Sequence, residues 1–327
     1  MNSVITVGAL ADVLAYVPTS FGFQPTDSLV AMSLRSPRGR VGLVLRIDLA
    51  DAVDAAHAIA THLVRDGADR CILVTYSDDA AAAEAARTAV REALDPIRTR
   101  GAVVTSNGYG WDDEPGLSPM SDLDASEVAA QSVYNGVAIR TSREDLIPRV
   151  TDAEAIATAR AAAASDAPDA LGNGQALAAW RQAVDEQTND PRTLGRLART
   201  LTDPVVRDAV LVLMVTNSNE QAAAALCGDE EATRQGLELL TSSPRQPGES
   251  IHPWAETLAL VAAHQDTEPV AAPAWTLWTI TQWWTGAGAA ANVGIDKALM
   301  ADDTHRLAHL MADCLSAGIG PGWTRRQ

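Results

Sequence analysis

The sequence predicts an α/β domain followed by an all-helical domain. Between residues 28 and 105, short apolar runs of strand length alternate with segments in which apolar residues recur at helical spacing. After Thr151 the chain reads as helix interrupted by short breaks, with no strand-like run. A chain of 327 residues is longer than one ordinary domain and fits two. We therefore expect an α/β domain over residues 1–150 and an all-α domain of helical hairpins over residues 151–327.

The composition supports a folded chain that packs through small side chains. Hydrophobic residues make up 47% of the sequence and charged residues 20%, which is enough apolar surface for a core and too little charge for disorder. Only 2 Phe and 4 Tyr are present, and alanine dominates the apolar residues. We therefore expect helices that approach one another closely.

The charge of the chain argues against two classes of partner. Lys and Arg number 25 and Asp and Glu number 42, which gives a formal charge of −17. A field of that sign repels phosphate backbones and anionic lipid. We expect no nucleic-acid partner and no membrane partner.

A hairpin and a first crossover begin the predicted sheet. Residues 28–34 and 41–49 are apolar, β-compatible runs around a Ser-Pro-Arg-Gly turn, which predicts a hairpin. A helical pattern over 50–64 then leads to the nearly all-apolar run at 71–76, which is typical of a buried strand. The order strand, helix, strand predicts a crossover connection.

A second crossover follows directly. Asp78 or Asp79 can cap the alanine-rich helix that runs to Leu94, and residues 102–105 form a short candidate strand. The sheet is therefore predicted to be mixed and partly parallel, with flanking helices.

The chain then becomes irregular before the second domain. Residues 106–124 are rich in Gly, Pro, Asp and Ser and predict a loop. Residues 126–134 predict a helix and 137–140 a short strand, while Ser142 precedes an acid by three residues, as at a helix start. The domain boundary is expected near residues 148–151.

The second domain is predicted to consist of helices, with an exposed loop at about 242–250 that contains two prolines and a glycine. The predicted helices span 152–164, 174–187, 193–201, 204–215, 221–227, 230–240, 254–264, 271–284, 287–300 and 304–315.

The first residues and the cysteines indicate a cytoplasmic protein. Residues 1–20 carry no Lys or Arg and are interrupted by Gly, Asp and Pro, so they fit neither a signal peptide nor a spanning helix. Cys71, Cys227 and Cys314 are far apart, and each sits in an apolar run. We expect buried thiols rather than a disulfide or metal framework.

Several segments, taken in order along the chain, carry a family resemblance. They are residues 17–30, with Val-Pro, Phe-Gly-Phe-Gln-Pro and Asp-Ser-Leu-Val; 46–49, with Arg-Ile-Asp-Leu; 142–146; 284–299, with Trp-Thr-Gly-Ala-Gly, Ala-Asn and Lys-Ala-Leu; 305–308; and 318–323. Together they resemble the actinobacterial domain-of-unknown-function family 4192 over nearly the whole chain.

The resemblance implies no catalytic residue, because the family is named for its lack of an assigned activity. Many members have a cysteine-containing stretch after the tryptophan of the central loop. Here Trp111 is followed by Asp112, Asp113 and Glu114. The resemblance therefore implies no cysteine or metal chemistry for this chain.

Polar residues at the carboxyl ends of the predicted strands form the first candidate site. In open α/β sheets, ligands bind at this edge, where loops diverge and helix amino ends are exposed. Alternatively, Asp48, Ser77 and Asp78 cap helices and Arg46 pairs with a neighbouring acid. The ligand-binding candidates in and beside this rim are Arg46, Asp48, Tyr76, Asp78, Asn107 and Trp111.

Two further clusters raise the question of metal binding. Asp112, Asp113 and Glu114 offer oxygen ligands but lack the alternating spacing of a calcium loop, so a solvated acidic loop is the preferred interpretation. His305 and His309 lie four residues apart on a predicted helix, where surface histidines are the usual explanation. The sequence predicts no metal and no cofactor.

Tryptophans in the second domain are candidates for partner contact. Trp278, Trp283 and Trp284 belong to one predicted helix, and the last two are adjacent, so they cannot both point into the same core. Tryptophan anchors many protein interfaces. Packing between helices is the alternative.

Two functions remain open at this point. The preferred hypothesis is a non-catalytic, cytoplasmic binding or scaffold protein whose helical domain contacts a partner protein or a second copy. The alternative is a hydrolase or transferase for a small molecule, with Asp48 as general base and Tyr76, Asn107 and Arg46 orienting the substrate. Neither a phosphate-binding glycine loop nor a nucleophile elbow occurs in the sequence.

Overall fold

The chain divides into two compact units, with the boundary between Ser142 and Arg143. The first unit is α/β and the second is helical, so the predicted fold class is confirmed. Val137, part of the strand predicted at 137–140, lies outside the described residues. The computed structural model describes residues 9–36, 39–134, 138–164 and 171–325.

The first unit is built on a five-stranded sheet. Its strands are β1 (Ser28–Arg35), β2 (Arg40–Asp48), β3 (Arg70–Tyr76), β4 (Arg98–Thr105) and β5 (Gly108–Trp111). The order across the sheet is β2-β1-β3-β4-β5, with only the β3–β4 pair parallel. The predicted hairpin of β1 and β2 and the mixed, partly parallel character of the sheet are confirmed.

Helices cover both faces of this sheet. The crossover helices α2 (Ala56–Arg65) and α3 (Ala80–Ala93) pack on one face, over a core that includes Leu29 and Leu73. The other face is covered by α1 (Leu10–Phe21), which the sequence analysis did not predict and which has Pro18 inside it. Both crossover helices place the loops after β2 and β3 at the same edge of the sheet.

The prediction of a loop over 106–124 is wrong in part. Residues 108–111 form β5, and helix α4 (Ser121–Asp124) ends the segment before α5 (Glu127–Tyr134). The glycines that suggested a loop are needed for close packing, because a Cβ atom on Gly108 would lie 2.4 Å from the carbonyl oxygen of Ser118. Small residues here allow a strand rather than prevent one.

The described part of the second unit contains helices and no strand. Each predicted helix is present, with ends shifted by a few residues, and the chain between α11 and α12 is mostly exposed. The helices are α6 (Ala153–Ala164), α7 (Asn173–Glu186), α8 (Pro191–Thr200), α9 (Pro204–Thr216), α10 (Asn219–Leu226), α11 (Glu230–Ser242), α12 (Ile251–Gln265), α13 (Ala272–Thr285), α14 (Gly288–Ala301) and α15 (Arg306–Ser316).

Tryptophans and small residues together build the core of this unit. Trp180 stacks on Trp254 with ring centroids 6.2 Å apart, and both rings are fully buried. Gly195 lets α8 approach α6, since a Cβ atom there would lie 2.0 Å from the carbonyl oxygen of Ala159. Large rings fill the spaces between helices that alanine and glycine bring together. Among the described residues, no helix is both long enough and apolar enough to cross a bilayer.

Candidate functional site

The predicted rim lies along one edge of the sheet, but the structure brings only part of it together. Ser28 is opposite Asp48 on one side and opposite Tyr76 on the other. Asn107 follows β4, three strand positions from Asp48 in the sheet order. At about 4.8 Å per strand the two are roughly 14 Å apart, so one small reacting group cannot contact both.

Arg46 and Asp48 neutralise each other at the end of β2. Arg46 Nη2 lies 2.6 Å from Asp48 Oδ1, and Arg46 Nε donates a hydrogen bond to Ser28 Oγ at 2.8 Å. This is the ion pair that the alternative interpretation predicted. Both charges are therefore engaged before any ligand arrives.

The side chains of the two aspartates after β3 accept hydrogen bonds from backbone nitrogen atoms. Asp79 caps α3 by accepting a hydrogen bond from the backbone nitrogen of Ala82 at 3.0 Å. Asp78 Oδ1 accepts one from the backbone nitrogen of Ser106 at 2.7 Å, which ties this loop to the β4–β5 turn. Asp78 therefore serves the loop structure, and Asp79 is the helix cap.

Tyr76 is buried in the core between the sheet and α1. Its hydroxyl group has no hydrogen-bond partner among the described residues. Desolvation by burial raises the pKa of Tyr76 well above its ordinary value. The phenol therefore stays protonated at neutral pH and cannot act as a general base there.

Asp112, predicted to be solvated, is instead enclosed by arginines of α3. Its carboxylate accepts a hydrogen bond from Arg91 Nη2 at 2.8 Å and lies 3.2 Å from Arg87 Nε. Arg87 is only 4% exposed. Gly101 makes room for the carboxylate, because a Cβ atom there would lie 1.9 Å from Asp112 Oδ2. A carboxylate held in this way stabilises the sheet and is not free to bind a divalent cation.

The rest of the acidic loop is paired as well. Arg100 lies over the ring of Trp111, with its Cζ atom 3.9 Å from the ring centroid. The same guanidinium group binds Asp113, at 3.1 Å, and Glu114 at a shorter distance. Trp111 therefore stacks on an arginine of its own unit. That face of the ring is occupied and cannot contact a ligand.

The three candidate partner-contact tryptophans lie in the core. Trp278 is 4% exposed, and Trp283 and Trp284 are 7% exposed each. Trp283 Nε1 donates a hydrogen bond to the carbonyl oxygen of Ile319 at 2.8 Å, and the carbonyl oxygen of Trp284 accepts one from Trp323 Nε1 at 2.8 Å. Packing therefore explains these rings, which have almost no surface with which to contact a partner.

His305 and His309 face different surroundings. His309 Nε2 lies 2.6 Å from the carbonyl oxygen of Asp303, whereas His305 Nε2 is buried and has no partner in the described part of the chain. In the part of the chain that the structure describes, no three or more His, Cys, Asp or Glu residues are arranged to hold a metal ion.

A cleft in the second unit gathers polar groups that the sequence analysis did not connect. It has a volume of about 670 Å³ and lies among α6, α8, α9, α12 and the connection from α14 to α15. That volume is within the range of small-molecule sites. We call it the Gln265 cleft, and its principal polar lining residues are Arg160, Arg207, Gln265, Glu268, Asp302 and His305.

Buried polar atoms without a protein partner are concentrated in this cleft. Among the described residues, eight buried side-chain nitrogen or oxygen atoms lack one, and four of the eight belong to residues that line it. The four are Arg160 Nε, His305 Nε2, and Nε2 and Oε1 of Gln265. Gln265 is 0% exposed. A neighbouring cleft of about 520 Å³, which shares Arg199 and Thr202 with this one, has none of these atoms in its lining.

The backbone beside Gln265 is strained and held from three sides. Asp266 has φ 51° and ψ −103°, outside the regions that non-glycine residues prefer. Trp275 Nε1 donates a hydrogen bond to its carbonyl oxygen at 3.3 Å, and Lys297 Nζ lies 3.4 Å from its carboxylate. Arg160 Nη2 donates one to the carbonyl oxygen of Gln265 at 3.2 Å. Strain maintained by several contacts is typical of ligand sites.

Burial also sets the charge state of the cleft. Desolvation lowers the pKa of His305, and the nearby Arg207 lowers it further, while Asp302 raises it. The imidazole is therefore neutral near pH 7. Arg160 Nη1 pairs with Glu268 Oε1 at 3.2 Å.

Sequence reasoning missed the cleft because its parts are far apart along the chain. Arg160 and Gln265 are separated by 105 positions. One signal was present, since Lys297 is the only lysine of the chain and pairs with the residue after Gln265. The sequence alone does not show this pairing, because only the fold brings Lys297 next to Asp266.

The structure thus defines a class: a two-unit protein with a mixed-sheet α/β unit and a helical unit that carries a ligand-sized cleft. The family described as a domain of unknown function, DUF4192, matches residues 11–322. The match spans nearly the whole chain, so the protein belongs to this family and the resemblance noted in the sequence is confirmed. No curated protein and no solved structure gives a significant match.

Proposed function

We propose that this protein is a non-catalytic binding protein whose helical unit takes up a small molecule in the Gln265 cleft. The observation that carries the proposal is a set of four buried polar atoms, on residues that line one cleft, that have no partner among the described residues. Each such group costs about 1–3 kcal/mol when it has no partner. Proteins seldom retain this cost without a use for the group.

Binding has more support than catalysis. The polar groups of the cleft without a partner among the described residues are the amide of Gln265, Nε of Arg160 and Nε2 of His305, whereas the carboxylate of Glu268 pairs with Arg160 and that of Asp302 accepts hydrogen bonds from Thr304. At the edge of the sheet, Asp48 is in an ion pair, the Tyr76 hydroxyl group is buried, and Asn107 is three strand positions away. The alternative enzyme therefore lacks an assembled base and orienting group.

The proposal also concerns the compartment and the partner. In the part of the chain that the structure describes, Cys71, Cys227 and Cys314 form no disulfide, which supports a reducing, cytoplasmic location. Burial raises the pKa of Cys71 to about 11, and the Cys71 thiol is therefore unreactive. Cys227 was expected to be buried but is exposed. A partner protein, if one binds, would use a surface other than the three buried tryptophans.

A thermal-shift screen against neutral, anionic and cationic metabolites tests the binding function. We expect at least one compound to raise the melting temperature of the wild type and of Gln182→Met, but not of Gln265→Met. A ligand at one hundred times its Kd adds about 2.7 kcal/mol to the free energy of unfolding. Gln182 is the matched control because it is exposed and lies in the same unit. The proposal fails if every hit stabilises Gln265→Met equally, or if no compound acts.

A further inference from the structure

We propose that the outer edge of β2 pairs with β2 of a second copy of this chain, so that the two sheets join across a two-fold axis. This inference is independent of the Gln265 cleft and of the proposed binding of a small molecule. It is based on the difference between the two edges of the sheet, on the directions of the backbone groups of β2, and on the charges at the two ends of that strand.

The two edges of the sheet are finished differently. At one edge, β5 has only four residues, and its outer side is bridged to a later part of the same chain. Tyr109 N donates a hydrogen bond to the carbonyl oxygen of Ser118 at 3.0 Å, and Ser118 N donates one to Tyr109 at 2.8 Å. At the other edge, β2 has nine residues, and within the described part of the chain its only strand partner is β1. A long edge strand without a cover readily pairs with another chain.

The ladder between β1 and β2 shows which backbone groups of β2 point outward. Leu49 N donates a hydrogen bond to the carbonyl oxygen of Asp27 at 2.8 Å, immediately beyond the registered pairs of the two strands. In an antiparallel ladder, hydrogen-bonded pairs alternate with pairs whose N–H and C=O groups point away from each other. Leu45 therefore bonds to β1, whereas Val44 and Arg46 direct their backbone groups outward. Among the described residues, no other backbone group forms a hydrogen bond with these outward groups.

The side chains of β2 are apolar and only partly covered. Residues 41–47 read Val-Gly-Leu-Val-Leu-Arg-Ile and none is fully buried, whereas the first six residues of the neighbouring β1 all are. The strand contains neither lysine nor proline, the residues that commonly protect an edge. A β-bulge lies in its amino-terminal half and leaves the stretch from Val44 to Asp48 in regular register. This stretch therefore offers a second strand a regular ladder.

The charges at the ends of β2 favour a second copy over an unrelated partner. Arg40 begins the strand and Asp48 ends it, and both are exposed, with 56% of the Asp48 side chain accessible beside Arg46. An antiparallel pair brings the Arg40 end of each copy near the Asp48 end of the other, and the two-fold axis makes this contact twice. The axis is expected near Val44 and Leu45, because an axis at Arg46 would place two like charges opposite each other.

Sedimentation velocity of the full chain over a concentration series, combined with amide hydrogen exchange, tests the inference. Val44→Pro removes an outward N–H group and leaves the hydrogen bonds to β1 in place. Arg40→Glu reverses the charge at the amino end of the strand. Its matched control is Arg65→Glu, because Arg65 is exposed and lies in the same unit. Circular dichroism checks that each variant retains the fold.

The wild type and Arg65→Glu are expected to form dimers as the concentration rises, whereas Val44→Pro remains a monomer. Arg40→Glu should dimerise about tenfold more weakly than the wild type, because each like-charge contact occurs twice. In the wild type, amide exchange of Val44 and Arg46 should slow as the dimer forms. Exchange of Leu45, whose amide is already bonded to β1, should change little.

A wild type that stays monomeric at its highest soluble concentration overturns the inference, as does a dimer that Val44→Pro leaves intact. Equal dimerisation of Arg40→Glu and Arg65→Glu contradicts the antiparallel arrangement. Slow exchange of Val44 and Arg46 at every concentration would mean that the same chain covers this edge, and it overturns the inference as well. The wild-type measurements require no variant, so a variant that does not fold leaves the test intact.

Discussion

Gln265 combines a stability cost with a position suited to binding. The residue ends α12 and is 0% exposed, and neither polar atom of its amide has a partner among the residues that the structure describes. The hydroxyl group of Tyr76 is also unpartnered, but it is enclosed by apolar residues between the sheet and α1. The difference is that Gln265 stands in a cleft with other unpaired groups, and this is why we assign it a ligand.

Substitution of Gln265 by methionine should stabilise the ligand-free protein. Methionine is similar in size and removes two unsatisfied polar atoms, so we expect the free energy of unfolding to rise by about 1–2 kcal/mol. Urea denaturation of the wild type, Gln265→Met and Gln182→Met measures the effect. A loss of stability in Gln265→Met would mean that the amide is already satisfied, and it would remove the case for a waiting ligand.

His305 should make stability depend on pH. The pKa of His305 is lowered in the folded protein by burial and by Arg207, with a further small lowering by His309 and an opposing effect of Asp302. The unfolded chain therefore binds the proton at a higher pH than the native protein does. The contribution of His305 is fully present above its ordinary pKa of 6.5 and is lost as the pH falls toward its folded value.

We expect the melting temperature of ligand-free His305→Gln to decline less between pH 7.5 and pH 5.5 than that of the wild type. His252→Gln is the control, because that side chain is exposed. Parallel curves for all three proteins would contradict the assigned environment of His305.

At the scale of elements, β4 and β5 depend on the space that Gly101 leaves for Asp112. A Cβ atom at position 101 would lie within 3 Å of three atoms of that carboxylate. The carboxylate in turn compensates the buried charge of Arg87 and binds Arg91. One glycine therefore lets an ion-pair cluster join the last strand of the sheet to α3.

Gly101→Ala should cost about 2 kcal/mol of unfolding free energy, because the added methyl group forces the carboxylate away from the two arginines. Gly174→Ala is a suitable control, since a Cβ atom there meets nothing within 4 Å, and it should be neutral or slightly stabilising. Chemical denaturation followed by circular dichroism distinguishes the two. Equal stability of both variants would show that Asp112 moves without cost.

The sequence predicts elements well where periodicity is strong and poorly where glycine has a packing role. The helices of the second unit follow from the spacing of their apolar residues, and the β3–α3–β4 crossover follows from alternating patterns. β5 was missed because Gly108 and Gly110 read as loop residues, although close packing needs them there. α1 was missed because Pro18 lies inside it.

The candidate site was the least predictable part. Arg46 and Asp48 lie together at the end of β2, but they neutralise each other, and the register across the sheet keeps Asn107 apart. The cleft residues Arg160, Gln265 and His305 come from different helices or connections, so no local pattern links them. A single sequence shows which residues share a helix face, not which helices meet.

At the scale of the whole molecule, each hydrophobic core draws on a single unit. The two cores on either face of the sheet use residues of the first unit, and the large tryptophan-containing core uses residues of the second. Every residue that lines the Gln265 cleft also belongs to the second unit. The helical unit therefore contains both a core and a complete cleft.

Residues 143–327, expressed alone, should fold cooperatively and retain ligand binding. We expect helical circular dichroism, a sharp thermal transition, and stabilisation by the same compounds that stabilise the full chain. A matched fragment with Gln265→Met is the control for ligand dependence. A fragment that shows no cooperative transition would contradict the independence of this unit's core.

The central claim is that the Gln265 cleft holds a small molecule, and native mass spectrometry of protein purified gently from its source cells tests it most directly. We predict a defined small-molecule adduct on the wild type and on Gln182→Met that is absent from Gln265→Met. An adduct of equal abundance on Gln265→Met would place the ligand elsewhere, and a wild type without any adduct at high protein concentration would contradict the claim.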